Sequence, residues 1–206
     1  MTIPSYWKQA SRELAQRDSV LRRLIKIHSN LAMHSRGDAF MTLARSIVGQ
    51  QISLKAADTV WQRIHATVPS INAKQIAKVE STALRNCGLS SNKVLYLQDL
   101  ARNFVDGSLD IAKWKHLDDD ELIAELTRVK GIGRWTAEMF LIFYMMRPDV
   151  LPLDDIGLQR AMSMHYNKNR PLSKLKMRAI ARDWAPWRSV ATWYLWRSLD
   201  PIPVEY

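Results

Sequence analysis

The sequence predicts an all-α protein, and two observations support this fold class. Apolar residues recur at helical spacing through most of the 206-residue chain, and no convincing run alternates apolar and polar side chains as a strand would. Residues that start helices precede these segments, and glycine or proline follows several of them. Hydrophobic residues make up 47% of the chain, which is enough for one good core or for two small lobes.

The helices can be placed from their starting residues. Four are predicted at or just after a typical N-cap: "DAFMTLARSIVGQ" after Asp38, "SLKAADTVWQRIHATV" after Ser53, "STALRNCG" from Ser81 and "SNKVLYLQDLARNFVDG" from Ser91. A fifth, "DDDELIAELTRV", opens with acidic side chains, which stabilise a helix N-terminus. Two more are predicted after prolines, at "PLSKLKMRAI" and "PWRSVATWYLW".

Three breaks interrupt the helical pattern. The first is "VGQQIS", residues 48–53, between two strong helices. The second is the pair of glycines in "VKGIGRWTAEMF", residues 129–140. The third is "MRPDVLPLDDIGLQRAM", where Pro148 and Pro152 hold a short extended segment before a new helix. Because binding and catalytic residues are often carried by loops, we expect functional side chains at these breaks.

Charge and composition restrict the class of partner and the class of cofactor. The chain has 30 Lys and Arg against 20 Asp and Glu, a net charge of +10, which favours nucleic acid as a partner; a basic solvated surface is the alternative. The single cysteine, Cys87, can form neither an intrachain disulfide nor a four-cysteine cluster, which suits a reducing cytosol. Its side chain is predicted to be a small buried residue. The five histidines have no metal-ligand spacing, so no metal is predicted. Neither a signal peptide nor a membrane span is expected.

The two glycines of "VKGIGRWTAEMF" predict a tight turn that exposes backbone N–H groups. Gly131 and Gly133 can adopt positive φ and let a ligand approach the backbone closely. The next helix starts near Arg134, so its N-terminal N–H groups suit a phosphate, to which Thr136 could add a hydroxyl. A simple corner with glycine as a C-cap explains the glycines equally well.

Three segments together resemble one enzyme family. "VKGIGRWTAEMF" resembles the helix-hairpin-helix motif of the DNA glycosylase superfamily of that name, and Asp155 stands at the family's downstream aspartate. "VGQQIS" and "DWAPWRSVATWYLW" resemble two further segments of the same superfamily, so the resemblance runs from about residue 47 to 196. Within the superfamily, the sequence is most similar to the DNA-3-methyladenine glycosylase II branch.

The resemblance implies an architecture and a partner. It implies two helical lobes with a DNA-binding cleft between them: lobe A, about 38–147, and lobe B, about 1–37 plus 148–206. The N-terminal β-domain of some relatives is expected to be missing, and so is the iron–sulfur cluster of other branches. The expected partner is double-stranded DNA containing damaged bases, bound by a monomer in the cytoplasm or, in a bacterium, at the nucleoid. A monovalent cation bound by the hairpin carbonyls is compatible with this sequence.

The resemblance also implies a catalytic residue and a base pocket. Asp155 would stabilise the positive charge that develops on the deoxyribose when the N-glycosidic bond breaks. By local sequence alone Asp154 competes with it, and both can cap the following helix. Four residues match pocket positions: Trp135, Trp196, Met139 and Ile156. The other tryptophans considered, Trp7, Trp61, Trp184 and Trp193, are predicted to belong to the core.

Two further features follow from the resemblance. Gln51 matches the residue that fills the gap left by a flipped base, with Gln50 and Ile52 beside it; alternatively, the glutamines only tie the loop to its neighbours. Trp135 stands where bifunctional relatives carry a nucleophilic lysine, which implies a monofunctional enzyme that leaves an abasic site. Arg188 and Ser189 resemble a family segment, although a salt-bridged helix start explains them slightly better.

The implied function is therefore base excision repair of alkylated purines, with 3-methyladenine as the leading substrate and 7-methylguanine as a second. One alternative is the same fold acting on hypoxanthine, etheno-adenine or an oxidised purine. A second is a helix-hairpin-helix DNA-binding module without catalysis, and a third is a basic helical protein that binds RNA or protein. The DNA-binding module needs only the hairpin and not Asp155, and the third alternative predicts no lesion preference and no effect of Asp155→Asn.

Overall fold

The computed structural model describes residues 2–35, 37–68 and 70–199, and its regular elements are all helices. This confirms the predicted fold class. The helices within these ranges are α1 (Trp7–Arg17), α2 (Ser19–Ile27), α3 (Ala39–Gly49), α4 (Leu54–Thr67), α5 (Ala73–Ile76), α6 (Ser81–Asn86), α7 (Ser91–Val105), α8 (Ile111–Trp114), α9 (Asp119–Leu126), α10 (Arg134–Phe143), α11 (Ile156–Tyr166), α12 (Lys174–Ile180) and α13 (Arg188–Arg197).

The helix starts agree with the capping chemistry that the sequence predicts, with two shifts of one residue. Asp38 accepts a hydrogen bond from Met41 N–H (2.7 Å) and caps α3, and Ser53 caps α4 in the same way. Ser81 and Ser91, in contrast, are the first residues of α6 and α7 rather than their caps. Ser90 is the cap of α7, because its hydroxyl is the one that reaches a free N–H group of the first turn.

The described residues form two compact units. One unit comprises the described parts of Met1–Ser35 and Leu141–Glu205, and the other comprises those of Arg36–Phe140. The chain passes from the second unit to the first within α10. The assignment of function to lobes remains a prediction.

The core of the 36–140 unit is built around α7. Helix α3 packs on α4 and on α7, and the short helices α5 and α6 also pack on α7. Aromatic rings also contribute to this unit: Trp114 is fully buried and meets Phe104 and Phe140 edge to face at 5.9 and 5.4 Å. Trp61 is buried here, as predicted, and so is Cys87.

The unit formed by the two ends of the chain is centred on α13. This helix is buried on nearly all sides and packs on α1, α2 and α11. The predicted core positions Trp7, Trp184 and Trp193 are buried in this unit, which confirms those assignments. Asp18 caps α2 and also accepts hydrogen bonds from Tyr166 and from Trp184 Nε1, at 2.8 and 2.9 Å, so segments distant in sequence share one half-buried carboxylate.

None of the helices that the structure describes is both long and apolar enough to cross a lipid bilayer.

Candidate active site

The extended segment that leads to Asp155 is clamped by the start of α13. Arg188 forms a bidentate ion pair with Asp149, with Nε–Oδ1 at 2.7 Å and Nη2–Oδ2 at 2.6 Å. The buried Ser189 hydroxyl donates to the Arg147 carbonyl oxygen (2.6 Å) and accepts from Val150 N–H (2.9 Å). The salt-bridged helix start that the sequence favoured for Arg188 is therefore confirmed, and its partner is the segment that carries the candidate catalytic residue.

Asp155 is a buried carboxylate held by two N–H donors. It is the N-cap of α11 and its Oδ1 accepts from the Leu158 backbone N–H at 2.6 Å. The same oxygen accepts from the indole Nε1 of Trp196 at 2.7 Å. The residue is only 5% exposed. Burial of a carboxylate requires such donors, and the helix N-terminus adds a favourable partial positive charge.

Asp154 has different surroundings. Its side chain is 54% exposed and forms an ion pair with Lys174 of α12. It is not the cap of α11, because Asp155 occupies that position. The two neighbouring aspartates that could not be separated by local sequence are thus one solvated ion-pair partner and one buried, hydrogen-bonded acid.

Trp196 is fixed on two sides. Its ring stacks on Phe143 with centroids 5.7 Å apart and planes 18° apart, and its Nε1 is engaged with Asp155. It is 5% exposed. The structure therefore brings together two of the predicted site residues, Asp155 and Trp196, and orients the tryptophan by stacking.

Gly157 is a residue that the sequence analysis did not single out. A Cβ atom at this position would lie 3.1 Å from Asp155 Oδ1 and 3.2 Å from both Cδ1 and Nε1 of Trp196. Any larger residue would therefore press on the hydrogen bond between them. The sequence did contain a signal: a glycine in the first turn of a helix is unfavourable by about 1 kcal/mol, which indicates a close approach.

The other predicted pocket residues differ in exposure. Ile156, next to Asp155, is 80% exposed, whereas Met139 is 6% exposed and Trp135 is half-buried. Ile156 and Trp196 belong to the unit that contains Asp155, and Trp135 and Met139 lie on the part of α10 that belongs to the 36–140 unit. Their joint role in a base pocket remains a prediction.

The two hairpin glycines differ in backbone conformation and in surroundings. Gly131 adopts φ +83° and packs so closely on Tyr96 of α7 that an added Cβ would lie under 3.0 Å from three of its atoms. Gly133 does not adopt positive φ, so that expectation was wrong for this residue. Nothing lies within 4 Å of the position its Cβ would occupy, which leaves the backbone at the start of α10 open to a ligand.

The side chains that follow the hairpin are less available to a phosphate group than its backbone is. Arg134 forms ion pairs with Glu138 (3.0 Å) and Asp120 (3.3 Å), although its side chain is 58% exposed. A phosphate would have to compete with these two carboxylates. Thr136 is only 5% exposed. Contacts of Arg134 and Thr136 with DNA remain predictions.

The loop of residues 50–53, between α3 and α4, reaches the hairpin through one glutamine. The Gln50 side-chain amide donates to the Gly131 carbonyl oxygen at 2.8 Å, so Gln50 does tie the loop to a neighbour. Gln51 is exposed and adopts φ +58°, a left-handed conformation that is uncommon for a residue other than glycine. Ile52 is 41% exposed. We call residues 50–53 the wedge loop, after their proposed role.

Within the described ranges, no group of three or more His, Cys, Asp or Glu side chains is arranged to hold a metal ion. Asp155 accepts hydrogen bonds from the Leu158 backbone N–H and from Trp196 Nε1.

Comparison with known proteins places the chain in a family. A family model described as "HhH-GPD superfamily base excision DNA repair protein" matches residues 44–186. The crystal structure of a DNA-3-methyladenine glycosidase from Bacillus halodurans superposes with a TM-score of 0.86 at 32% identity, covering 100% of this chain and 96% of that one.

Two further relatives are also named as 3-methyladenine glycosylases. The 3-methyladenine DNA glycosylase of Schizosaccharomyces pombe in complex with abasic DNA superposes with a TM-score of 0.80 at 29% identity, covering 92% of this chain and 96% of that chain. DNA-3-methyladenine glycosylase of Bacillus subtilis (strain 168) is 30% identical over 199 residues, which cover 91% of this chain and 66% of that protein.

Proposed function

Because the chain belongs to the HhH-GPD superfamily of base excision DNA repair proteins, we propose that it is a monofunctional DNA glycosylase for alkylated purines, above all 3-methyladenine. The observation that carries this proposal is the buried Asp155 carboxylate, whose Oδ1 accepts a hydrogen bond from Trp196 Nε1. A DNA-binding module without catalysis needs the hairpin but has no use for this arrangement. The solved relatives named for 3-methyladenine support the substrate class.

The reaction breaks the bond between C1′ of the deoxyribose and N9 of the purine. The bonding electron pair leaves with the base, and positive charge develops on the sugar. The Asp155 carboxylate stabilises that charge, and a water molecule then adds to C1′ and releases its proton to the carboxylate or to solvent. An N3-alkylated purine is already cationic and leaves as a neutral base, so no second acid is required, in contrast to sugar–sugar hydrolysis.

Selection of a cationic base would use the indole rings. The face of a tryptophan attracts a cation more than a neutral base, by about 0.5–2 kcal/mol for each favourable stack. Trp135 and Trp196 are the proposed stacking partners, and Met139 and Ile156 would complete an apolar pocket. DNA would be held by the hairpin backbone at Gly131 and Gly133, with the wedge loop filling the gap left by the flipped base.

The absence of lyase chemistry is part of the proposal. A glycosylase that also cuts the strand attacks C1′ with an amine and forms a Schiff base. Trp135 stands at the position where such relatives carry the lysine, and indole nitrogen is not a nucleophile. The expected product is an intact strand with an abasic site. We also propose that the enzyme acts as a cytoplasmic monomer without a cofactor, since neither the proposed reaction nor its residues require one.

The experiment that tests the proposal is release of free base from duplexes that each contain one lesion. We expect release of 3-methyladenine and 7-methylguanine, strands that break only after alkali treatment, and no covalent adduct on borohydride reduction. Release confined to hypoxanthine, etheno-adenine or oxidised purines would reassign the substrate. DNA binding with no release from any duplex would support the non-catalytic module instead.

A further inference from the structure

One face of α7 holds both the wedge loop and the hairpin. Lys93, Tyr96 and Asp99 follow one another at intervals of three residues, so they lie along one side of the helix. Lys93 reaches the wedge loop, Tyr96 packs against Gly131, and Asp99 Oδ2 accepts from the Lys130 backbone N–H at 3.0 Å. Helix α7 is therefore a common support for the two loops proposed to contact DNA.

Lys93 caps the C-terminal end of α3, the helix that precedes the wedge loop. Its ammonium donates to the carbonyl oxygens of Val48 (2.7 Å) and Gln50 (2.6 Å). The last carbonyls of a helix have no partner inside it and carry partial negative charge, so a cation is suited to this position. Lys93 is half-buried, and burial lowers its pKa from the ordinary value. A partly desolvated ammonium keeps its place because the two carbonyls replace water.

The residue that follows these anchors is the one in an unusual conformation. Gln51 is exposed at φ +58°, directly after Gln50, whose backbone is held by Lys93 and whose side chain is held by Gly131. A left-handed conformation at a glutamine persists only where the surrounding contacts impose it. The contacts that impose it come from Lys93 and from the hairpin.

We propose that Lys93 is a positioning residue that holds the wedge loop in its DNA-inserting conformation. The proposal rests on the proposed function, in which Gln51 fills the gap left by the flipped base. A wedge that is already in place loses less conformational freedom on insertion, so the duplex opens more readily. Lys93 itself touches neither the base nor the sugar in this scheme.

The test compares Lys93→Met with Lys78→Met on duplex and on single-stranded DNA containing 3-methyladenine. Both substitutions remove one positive charge, and Lys78 is an exposed residue outside α7. Single-stranded DNA has no gap to fill, so it does not need the wedge. We expect Lys93→Met to lower the single-turnover rate on duplex on the order of 10-fold, and that on single strands less than about 2-fold. Lys78→Met should change neither rate.

Three results would overturn the proposal. One is an equal loss on both forms of DNA, which would indicate a role in chemistry or folding. Another is equal behaviour of the two lysine variants on duplex. The third is a uniform loss of affinity for both forms of DNA in Lys93→Met, with a weaker salt dependence, which would make Lys93 a phosphate contact.

Two further measurements separate this proposal from the proposed function and from a folding defect. Insertion can be followed without catalysis, by the fluorescence of 2-aminopurine placed opposite an abasic-site analogue in a duplex. Wild type should raise this fluorescence and Lys93→Met should not; equal signals would refute the proposal even if no base is released. If Lys93→Met does not fold, Gln51→Ala, at an exposed position, should show the same loss specific to duplex DNA. Unchanged duplex activity in that variant would also refute it.

Discussion

At the scale of single residues, the contact between Trp196 and Asp155 is the most informative feature of the site. Trp196→Phe keeps a ring to stack on Phe143 but removes the N–H that Asp155 Oδ1 accepts at 2.7 Å. A hydrogen bond to a charged group contributes about 1.5–3 kcal/mol, so we expect the rate of base release to fall roughly 10-fold or more and the melting temperature to fall as well. Single-turnover kinetics and thermal unfolding check both effects.

Trp193→Phe is the matched control on the same helix. Trp193 is also buried, and its described contacts are with Trp7, Tyr194 and Arg197. This variant should lose stability without a comparable change in the rate. If the two variants slow base release equally, the indole N–H of Trp196 has no specific role.

Gly157→Ala tests the space beside the same hydrogen bond. The added Cβ would approach Asp155 Oδ1 to 3.1 Å, so the carboxylate or the indole must move by a few tenths of an ångström. Alanine also favours the helix by about 1 kcal/mol, so stability should be maintained. We expect base release about 3- to 10-fold slower, because misplacement of a catalytic group by 1 Å lowers rates about 100-fold. An unchanged rate with unchanged stability would show that the site tolerates the shift.

At the scale of elements, the hairpin glycines form a natural pair for comparison. Gly131→Ala would place a Cβ against the Tyr96 ring at φ +83°, and we expect a loss of roughly 2–4 kcal/mol in the free energy of unfolding. Gly133→Ala meets nothing within 4 Å, so stability should change by less than about 0.5 kcal/mol.

For DNA binding, in contrast to stability, we expect a clear effect of Gly133→Ala. If a phosphate approaches the backbone at Gly133, its alanine variant should bind a duplex with an abasic-site analogue roughly 10-fold more weakly despite its intact fold. Fluorescence anisotropy on that duplex measures the change. Unaltered affinity in Gly133→Ala would mean that no phosphate comes close to this glycine.

At the scale of the whole molecule, the net charge of +10 predicts strong salt dependence. Each phosphate neutralised by the protein releases counterions, and six to ten contacts lower affinity by about 10³–10⁵ between 50 and 200 mM salt. We expect a steep linear fall of log K with log salt for damaged and undamaged duplexes alike. A flat dependence would indicate that the positive charge lies away from the bound DNA.

Much of this architecture could be predicted from the sequence, because it depends on local chemistry. Asp38 and Ser53 cap the predicted helices, and the tryptophans assigned to the core are buried. Fold class and family followed from helical periodicity and from three motifs in order. The one-residue shift at Ser91 reflects a second serine, Ser90, next to it, and only the folded geometry selects between the two. At Ser81 the N-cap position is Glu80, whose side chain forms no capping hydrogen bond.

The parts that could not be predicted are contacts between residues distant in sequence. Lys93 lies more than 40 positions from the carbonyls it binds, and Arg188 lies 39 positions from Asp149. The different surroundings of Asp154 and Asp155 depend on Lys174 and Trp196, which lie farther along the chain. The expectation of positive φ at Gly133 was wrong because Gly131 alone makes the left-handed turn.

The most direct test of the central claim is single-turnover release of 3-methyladenine from duplex DNA by wild type, Asp155→Asn and Asp154→Asn. Asparagine caps a helix as well as aspartate does, so Asp155→Asn should keep the α11 cap and a normal melting temperature while it loses the negative charge. We predict a rate at least about 100-fold lower for Asp155→Asn and a rate near wild type for Asp154→Asn. Release by Asp155→Asn at the wild-type rate would contradict the assignment of Asp155 as the catalytic carboxylate.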